Sequence, residues 1–346
     1  MIFGAAESRS ASRAQGGKEK YRTGELLALV AMAITRYLFA SDLHASDLAF
    51  RKFISVALQY KVNVAVTDEL TGKFIIPAIK QKDGSIQFQF RDETVTTRTD
   101  AERQSEENKA ANVGNYVYHC TAEEYEEMKN QKDALDQLFE KMVSERLSRW
   151  LTLAEEKLKG KIDALVMMPG NDDEPYIDDV LAKSSWILNP DGKVIKLLNN
   201  EVLCLGLANM TPWKCPRDVE ENVLEEHLEK LCGEVKDWAH AVMITHVPPY
   251  NTKIDHAPKL DEKFNVVYSG GAPVMIPVGS TAVRKAVEKY QPLLGLHGHL
   301  HEGKGIDRIG RTTLINSGSE YYKGLLSAAL VNLEDDKVKG YMFLIT

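Results

Sequence analysis

Short apolar runs alternate with segments of helical periodicity along most of the chain. Residues 36–44 (RYLFASDLH) begin apolar and open onto polar positions, whereas residues 49–60 (AFRKFISVALQY) repeat their apolar positions at helical spacing. Residues 61–70 (KVNVAVTDEL) form a second β-branched run, and the turn residues Asp83 and Gly84 predict a hairpin after it. The order strand, loop, helix, strand predicts an α/β fold.

The segment 91–160 departs from this alternation. Its first part, residues 91–113, is polar and loop-like, and a long stretch of helical periodicity follows. The apolar positions of this stretch fall at i, i+3, i+4 and i+7 and comprise Leu135, Leu138, Phe139, Met142, Val143, Leu147, Trp150, Leu151, Ala154 and Leu158. We expect a mainly helical insertion or cap over 91–160. It either packs on its own domain or offers a surface through which copies of the chain form a homo-oligomer.

After Gly160 the chain returns to apolar runs of strand length, each ending in a loop that bears Gly, Pro, Asn or His. The five runs are IDALVMMPGNDDEP, EVLCLGLANMTP, AVMITHVPPY, QPLLGLHGHLHEG and TTLINSGSEY. The sequence shows no internal repeat. We therefore expect one domain over residues 35–346, with the segment 91–160 inserted into it.

Residues 1–34 differ from the rest because most of them are small, polar or basic and have little to bury. We expect a disordered extension over 1–34 and a natural start near Met32. The apolar run LLALVAMAI has the length of a secretory signal core, but the charged stretch before it contains Glu19 and Glu25. Export is therefore the less favoured interpretation.

Composition and charge narrow the class of protein. Of the 346 residues, 44% are hydrophobic and 27% are charged, which excludes a mostly disordered or fibrous protein. No apolar run reaches about 18 residues, so we expect no membrane span. The net charge of -7 argues against binding to long nucleic acid. Four cysteines without a CxxC pair indicate reduced thiols and a cytoplasmic protein.

Residues that can bind metal ions follow one apolar run after another. They are Asp42, His44, Asp68, Glu69, Asn171, Asp172, Asp173, His246, His297, His299 and His301. Ligands collect at the carboxyl ends of strands in an open α/β sheet, so we expect most of these side chains to converge. Carboxylates, imidazoles and one amide favour Mn, Fe, Zn, Co or Ni over Ca. His297, which lies inside an apolar run, is interpreted as a core histidine.

Five segments that carry these residues, SDLH, VTDELTGK, PGNDD, THVPPY and HGHLH, occur in a characteristic order. With them and INSGSEY, the chain resembles the calcineurin-like metallophosphoesterases, and within that family the stand-alone microbial phosphoesterases of the cyclic-nucleotide-phosphodiesterase-like group. The resemblance runs from about Tyr37 to the C-terminus, interrupted by the segment 91–160. It implies the metallo-dependent phosphatase fold, a four-layer α/β/β/α sandwich of two mixed sheets.

The resemblance also implies two divalent metal ions, with Mn favoured. The implied ligands of the first ion are Asp42, His44 and His301. The implied ligands of the second ion are Asn171, His246 and His299. The bridging carboxylate would come from the VTDELTGK loop. There Glu69 stands where the family has Asp, and Asp68 comes one residue earlier. Glu69 or, as the alternative, Asp68 would bridge the ions.

Asp172 marks a second departure from the family pattern. Family members with Gly-Asn-His-Asp use the His as an acid toward the leaving group or as a phosphate contact, and Asp172 stands in its place. An ionised Asp cannot donate a proton and would repel an anionic phosphate. We therefore expect slower chemistry that favours good leaving groups. The resemblance implies catalytic contacts at Asp172, Asn171 and His246, and it assigns no role to Lys73.

The sequence thus predicts a binuclear metal-dependent phosphoesterase that hydrolyses phosphate esters, with phosphodiesters favoured, through attack of a metal-bridging hydroxide. The expected partner is a small phosphate ester. Two alternatives stay open. The first is a non-catalytic protein-interaction scaffold with a decayed metal site, which the departures at Glu69 and Asp172 would explain. The second is a hydrolase with one metal ion or none.

Overall fold

The computed structural model describes residues 34–346, so the predicted disordered extension lies, apart from Ile34, outside the described residues. The elements up to residue 158 are β1 (Thr35–Ala40), α1 (Asp47–Gln59), β2 (Val64–Thr67), β3 (Ile75–Lys80), β4 (Ile86–Phe90), β5 (Glu93–Thr97), α2 (Asp100–Ala111), β6 (Tyr116–Cys120), α3 (Ala122–Lys129) and α4 (Lys132–Leu158).

The second part of the chain contains most of the strands and three further helices. These elements are β7 (Ala164–Met167), α5 (Ile177–Leu181), β8 (Lys193–Leu197), β9 (Asn200–Leu205), β10 (Ala208–Asn209), β11 (Asp218–Val219), α6 (Glu221–Cys232), β12 (Val242–Thr245), β13 (His256–Pro258), β14 (Tyr268–Ser269), β15 (Ala272–Pro273), β16 (Met275–Pro277), α7 (Thr281–Tyr290), β17 (Leu294–His297), β18 (Gly305–Ile309), β19 (Thr312–Asn316), β20 (Ser327–Glu334) and β21 (Lys337–Ile345). No helix within residues 34–346 is long and apolar enough to cross a membrane.

Two large mixed sheets organise the molecule. The first has the strand order β21-β20-β1-β2-β7, and the second has the order β18-β19-β17-β12-β9-β8. In the first sheet β1, β2 and β7 are parallel, whereas β20 runs antiparallel to β1, with Leu38 opposite Leu330. In the second sheet β9, β12, β17 and β19 are parallel. Each sheet therefore brings the carboxyl ends of several strands to one edge, and the predicted α/β class is confirmed.

Buried side chains form three apolar clusters against these two sheets. One cluster combines Phe39 and Val66 of the first sheet with Ile244 and Leu296 of the second. The two further clusters join the first sheet to α1, α4 and α5, and the second sheet to α6 and α7. Because the central strands are covered on both faces, their sequences are nearly continuous apolar runs.

The segment 91–160 contains α2, α3 and α4, as well as the strands β5 and β6. These strands join β3 and β4 in a four-stranded sheet of order β5-β4-β3-β6, so the segment has more strand than its pattern predicts. β5 is an edge strand with mostly exposed polar side chains, and such a strand lacks the apolar alternation that would reveal it. The ring of Trp150 in α4 stacks on Phe50 of α1 with 4.2 Å between centroids, so α4 packs on the first sheet's helical layer.

Side chains at the helix ends fix where several helices begin. Ser46 and Ser280 accept hydrogen bonds from Ala49 N and Val283 N at the starts of α1 and α7. Thr99 caps α2 through a capping box with Glu102. These caps satisfy backbone N–H groups that have no partner within the helix. In α1 the cap follows directly on the loop after β1, and the Ser46 hydroxyl also donates to the carbonyl oxygen of Asn112.

Candidate metal centre

The loops after β1 and β2 lie side by side and continue the pairing of the two strands. Asp42 N donates to Asp68 O over 3.2 Å, and His44 N donates to Glu69 O over the same distance. Asp42, His44 and Glu69 have φ angles of 58°, 41° and 47°, and His299 has one of 65°. Residues other than glycine rarely adopt this left-handed conformation, and such strain clusters at functional sites.

Two groups of predicted ligands meet at the ends of the parallel strands. In the first group His301 Nε2 lies 3.5 Å from Asp42 Oδ1 and 3.2 Å from His44 Nε2. In the second group, the side-chain oxygen of Asn171 lies 3.0 Å from His246 Nε2 and 2.9 Å from His299 Nδ1.

Glu69 lies between these two groups. Its Oε1 is 3.8 Å from His44 Nε2, and its Oε2 contacts His246 Nε2. Asp42, Glu69 and His246 offer ligand atoms within 4.8 Å of one another, as do Asp42, His44 and His301. The structure therefore brings both predicted ligand sets and Glu69 into one largely buried cluster of side chains that could bind metal ions.

Asp68 takes a different place from Glu69. Its Oδ2 lies 3.1 Å from Nδ1 of His246, on the edge of the ring opposite the Nε2 that faces Glu69 and Asn171. His44 is held similarly, because its Nδ1 lies 3.2 Å from the carbonyl oxygen of Thr71. In both rings Nδ1 is engaged by an oxygen while Nε2 faces the cluster, which is the arrangement of metal-binding histidines.

Burial and charge set the protonation of the cluster. Burial lowers the pKa of His44 and of His299 to about 3 each, so both imidazoles are neutral near pH 7. Burial opposes ionisation of Asp42, but the neighbouring histidines, with His301 the foremost, together outweigh burial and lower the pKa of Asp42. Burial raises the pKa of Glu69 to about 7. Burial disfavours protonated His246, yet the carboxylates of Glu69 and Asp68 raise its pKa well above the usual value.

The unsatisfied oxygens of the cluster fit divalent cations. Asp42 Oδ1 and Glu69 Oε2 are buried and accept no well-formed hydrogen bond within the described residues, although a histidine nitrogen faces each of them. A buried carboxylate oxygen without a partner is costly unless a proton or a cation compensates it. Imidazoles with inward nitrogens, carboxylates and an amide oxygen form the mixed donor set that transition-metal ions prefer. The residues present thus fit the metal ions that the resemblance implies.

Asp172 lies beside the cluster and is neutralised by a residue to which the sequence assigned no role. Its Oδ2 forms an ion pair with Lys73 Nζ. Burial opposes the ionised form of Asp172, but Lys73 outweighs burial and lowers the pKa of the carboxyl. The repulsion of phosphate that we expect from an ionised Asp172 is therefore offset, since this charge has a cationic partner. The two residues of the pair come from loops that follow different strands, so no local sequence pattern predicts the pair.

Asp173 has a structural role, although sequence analysis placed it among the residues that can bind metal ions. Its buried carboxylate accepts hydrogen bonds from the backbone N–H groups of Leu70 and Thr71, each over 2.9 Å, and of Gly170 over 3.0 Å. It thereby ties the Glu69 loop to the Asn171 loop. A Cβ at Gly170 would lie 2.7 Å from Glu69 Cβ and 2.8 Å from His246 Cε1. Glycine is therefore required for this close approach.

His297 and Tyr321 complete the surroundings of the cluster. His297 is fully buried, and its Nδ1 lies 3.0 Å from Thr245 Oγ1, as expected of a core histidine. The ring of Tyr321 packs against His44 with 4.6 Å between centroids and against His301 with 5.8 Å. Tyr321 comes from the loop after β19, and its contact could not be read from that loop's sequence.

No protein-family model matches the chain. The uncharacterized protein MJ1162 of Methanocaldococcus jannaschii is 33% identical over 160 residues, which are 46% of this chain and 65% of that protein. The match thus spans less than two thirds of this relative.

Solved structures resemble the chain over most of its length. One crystal structure has 15% identity and a TM-score of 0.54, and the match covers 91% of this chain and 99% of the other. TT1561 of Thermus thermophilus has 14% identity and a TM-score of 0.49, with 90% and 99% covered. The former likeness shows that the overall α/β fold occurs in a solved protein, and it concerns the fold alone.

Proposed function

We propose that the chain is a binuclear metal-dependent phosphoesterase of the calcineurin-like type, which hydrolyses phosphate esters with phosphodiesters favoured. The observation that carries this proposal is the position of Glu69 between two groups of ligand side chains. Its two oxygens face His44 of one group and His246 of the other. A carboxylate in this place suits the bridge between two ions.

The residues would divide between the ions as the family resemblance implies. Asp42, His44 and His301 would hold one ion, Asn171, His246 and His299 the other, and Glu69 would bridge them. Mn is the favoured metal, with Fe, Zn, Co or Ni as alternatives. When bound, such an ion pair supplies an activated water for in-line attack on phosphorus and neutralises the phosphoryl oxygens.

The side chains around the ligands keep them in place. Asp68 holds Nδ1 of His246, which leaves Nε2 for the centre. Asn171 donates from Nδ2 to Asp218 Oδ1 over 2.8 Å, which turns its Oδ1 inward. The side chain of His301 is 27% exposed, in contrast to the buried Asp42. We infer that the substrate reaches the centre from the side of His301 and Asp172.

The fold supports the same proposal. One apolar cluster lies between the two large sheets, and helices cover each sheet through a further cluster. This arrangement supports the four-layer α/β/β/α sandwich of the metallo-dependent phosphatases. The cysteines of the described residues are all free thiols, which supports a reducing, cytoplasmic compartment.

Metal analysis combined with turnover tests the proposal. The protein is refed with Mn²⁺, freed of excess metal, and analysed by elemental mass spectrometry. It is then assayed with bis(p-nitrophenyl) phosphate and p-nitrophenyl phosphate. We expect about two ions per chain and faster hydrolysis of the diester. His246→Ala and His299→Ala should abolish turnover, whereas His227→Ala, at an exposed position of α6, should not. An intact protein that holds one ion or none would indicate the scaffold or the single-metal alternative.

A further inference from the structure

Lys73 and Asp172 form an ion pair at the edge of the candidate metal centre. Lys73 lies four residues after Glu69 in the same loop, and Asp172 directly follows Asn171. The Lys73 side chain is 45% exposed and that of Asp172 is 18% exposed. The ammonium therefore lies at the solvent side of the pair, and the carboxylate lies at the inner side.

The pair is close enough to the centre to touch what binds there. A carboxylate oxygen of Asp172 lies within 4.8 Å of ligand atoms of His44 and Glu69. Lys73 Nζ contacts this carboxylate, so the ammonium is one hydrogen bond removed from the cluster. Among the described residues, Asp172 is the one acid within ion-pair distance of Nζ. Because an ammonium carries three N–H donors, the pair leaves donors for a further acceptor.

The combined charge of the pair bears on the choice of substrate. Lys73 alone would add one positive charge to the centre and strengthen binding of a dianionic phosphomonoester. Asp172 cancels that charge while holding the ammonium in place, so the pair offers hydrogen-bond donors without net charge. A phosphodiester carries a single negative charge, whereas a phosphomonoester carries up to two. Cancelling the charge of Lys73 therefore costs the diester less electrostatic binding energy than the monoester.

We propose that Asp172 positions Lys73 to donate a hydrogen bond to a non-bridging phosphate oxygen, and that the neutral pair favours diesters over monoesters. This inference rests on the proposed function. Lys73 transfers no proton in it. Water adds to phosphorus, one ester P–O bond breaks, and an alcohol and a phosphomonoester are the products. The pair thus stands where the related phosphoesterases place a histidine, and it provides a phosphate contact by other means.

Four variants test the proposal. They are Lys73→Met, Lys73→Arg, Asp172→Asn and the control Lys80→Met, which removes an exposed lysine at the end of β3. For each we would measure metal content, kcat/KM for bis(p-nitrophenyl) phosphate and for p-nitrophenyl phosphate, and binding of inorganic phosphate by calorimetry. The calorimetry gives a readout that does not depend on turnover.

We expect Lys73→Met to lower kcat/KM for the diester roughly ten- to a hundredfold and to weaken phosphate binding roughly tenfold, with metal content unchanged. Lys73→Arg should retain part of the diester kcat/KM and part of the phosphate affinity that Lys73→Met loses. Asp172→Asn should raise the ratio of monoester to diester kcat/KM, because it uncovers the charge of Lys73. Lys80→Met should equal the unchanged protein in metal content, in kcat/KM for both esters and in phosphate binding.

The outcomes separate this inference from the proposed function. If the unchanged protein holds two ions and hydrolyses the diester while Lys73→Met equals it in turnover and in phosphate binding, the role of Lys73 is overturned and the phosphoesterase stands. A loss of metal from Lys73→Met would also overturn it, since Lys73 would then be structural. If the unchanged protein shows no turnover, the proposed function fails, and phosphate binding alone decides whether Lys73 contacts the anion.

Discussion

Asp68 Oδ2 lies 3.1 Å from Nδ1 of His246, so this carboxylate holds the ring from behind while Glu69 faces the ring's other nitrogen. The two adjacent acids, which the sequence alone could not rank, thus have separate places. Asp68 fixes the orientation and tautomer of a candidate ligand. Glu69 lies among the ligands themselves.

This separation predicts different effects of the two neutral substitutions. Glu69→Gln removes the carboxylate that faces both ligand groups, and we expect about one ion per chain or fewer in place of two. Asp68→Asn should leave two ions bound but weaken metal affinity about 10- to 100-fold, because it removes only the partner behind His246. Metal titration of both variants by calorimetry checks this. The reverse order of effects would assign the bridge to Asp68.

Gly170 is predicted to tolerate no side chain. A Cβ there would meet Glu69 and His246, so Gly170→Ala should displace both and lower the free energy of unfolding by about 1–3 kcal/mol. Gly340→Ala is the matched control, since a Cβ at Gly340 meets nothing within 4 Å. Chemical denaturation of the metal-free protein gives the free energies. Equal stability of the two variants would contradict the close approach.

The burial of His297 should lower the free energy of unfolding as the pH falls below about 6.5. Burial lowers the pKa of His297 to about 4, whereas an unfolded chain titrates near 6.5. Below pH 6.5 the unfolded chain takes up a proton that the folded protein excludes, so stability falls as pH falls toward 4. By linkage this group removes roughly 1–2 kcal/mol of stability between pH 6.5 and pH 5.

The variant His297→Gln lacks this titration. Urea denaturation in EDTA at the two pH values should show a smaller loss for the variant than for the unchanged protein, because all other groups titrate in both. His227→Gln, at the exposed control position, should keep the full loss. An identical pH dependence in His297→Gln would show that His297 is not held neutral by burial.

The role of α4 can be tested through its apolar stripe. Leu147 is 1% exposed and packs in the cluster beside the first sheet, so Leu147→Ala should lower the free energy of unfolding by about 2–5 kcal/mol. Leu135 lies on the same helix and is 43% exposed. Leu135→Ala should therefore change the free energy of unfolding by less than about 0.5 kcal/mol. A small effect of Leu147→Ala would favour a detachable cap over a core helix.

The central strands were predictable because strands buried on both faces have unbroken apolar sequences. The polar residues at their ends then stand out, and Asp42 or His246 can be found from sequence. β5 was missed because an exposed edge strand needs no apolar pattern. The ion pair of Asp172 and the structural hydrogen bonds of Asp173 were missed. They depend on Lys73 and on the backbone N–H groups of Leu70, Thr71 and Gly170, which only the fold brings near.

The pairing of β1 with β20 constrains when the centre can form during synthesis. β1 lies between β2 and β20, with Leu38 opposite Leu330, and His44 meets His301 across 257 residues of sequence. A ribosome must therefore release nearly the whole domain before the two histidines can approach. Contacts this distant in sequence slow folding. A chain that stalls before His301 exposes Asp42 and His44 without their distant partner, so the full cluster of candidate ligands cannot assemble in it.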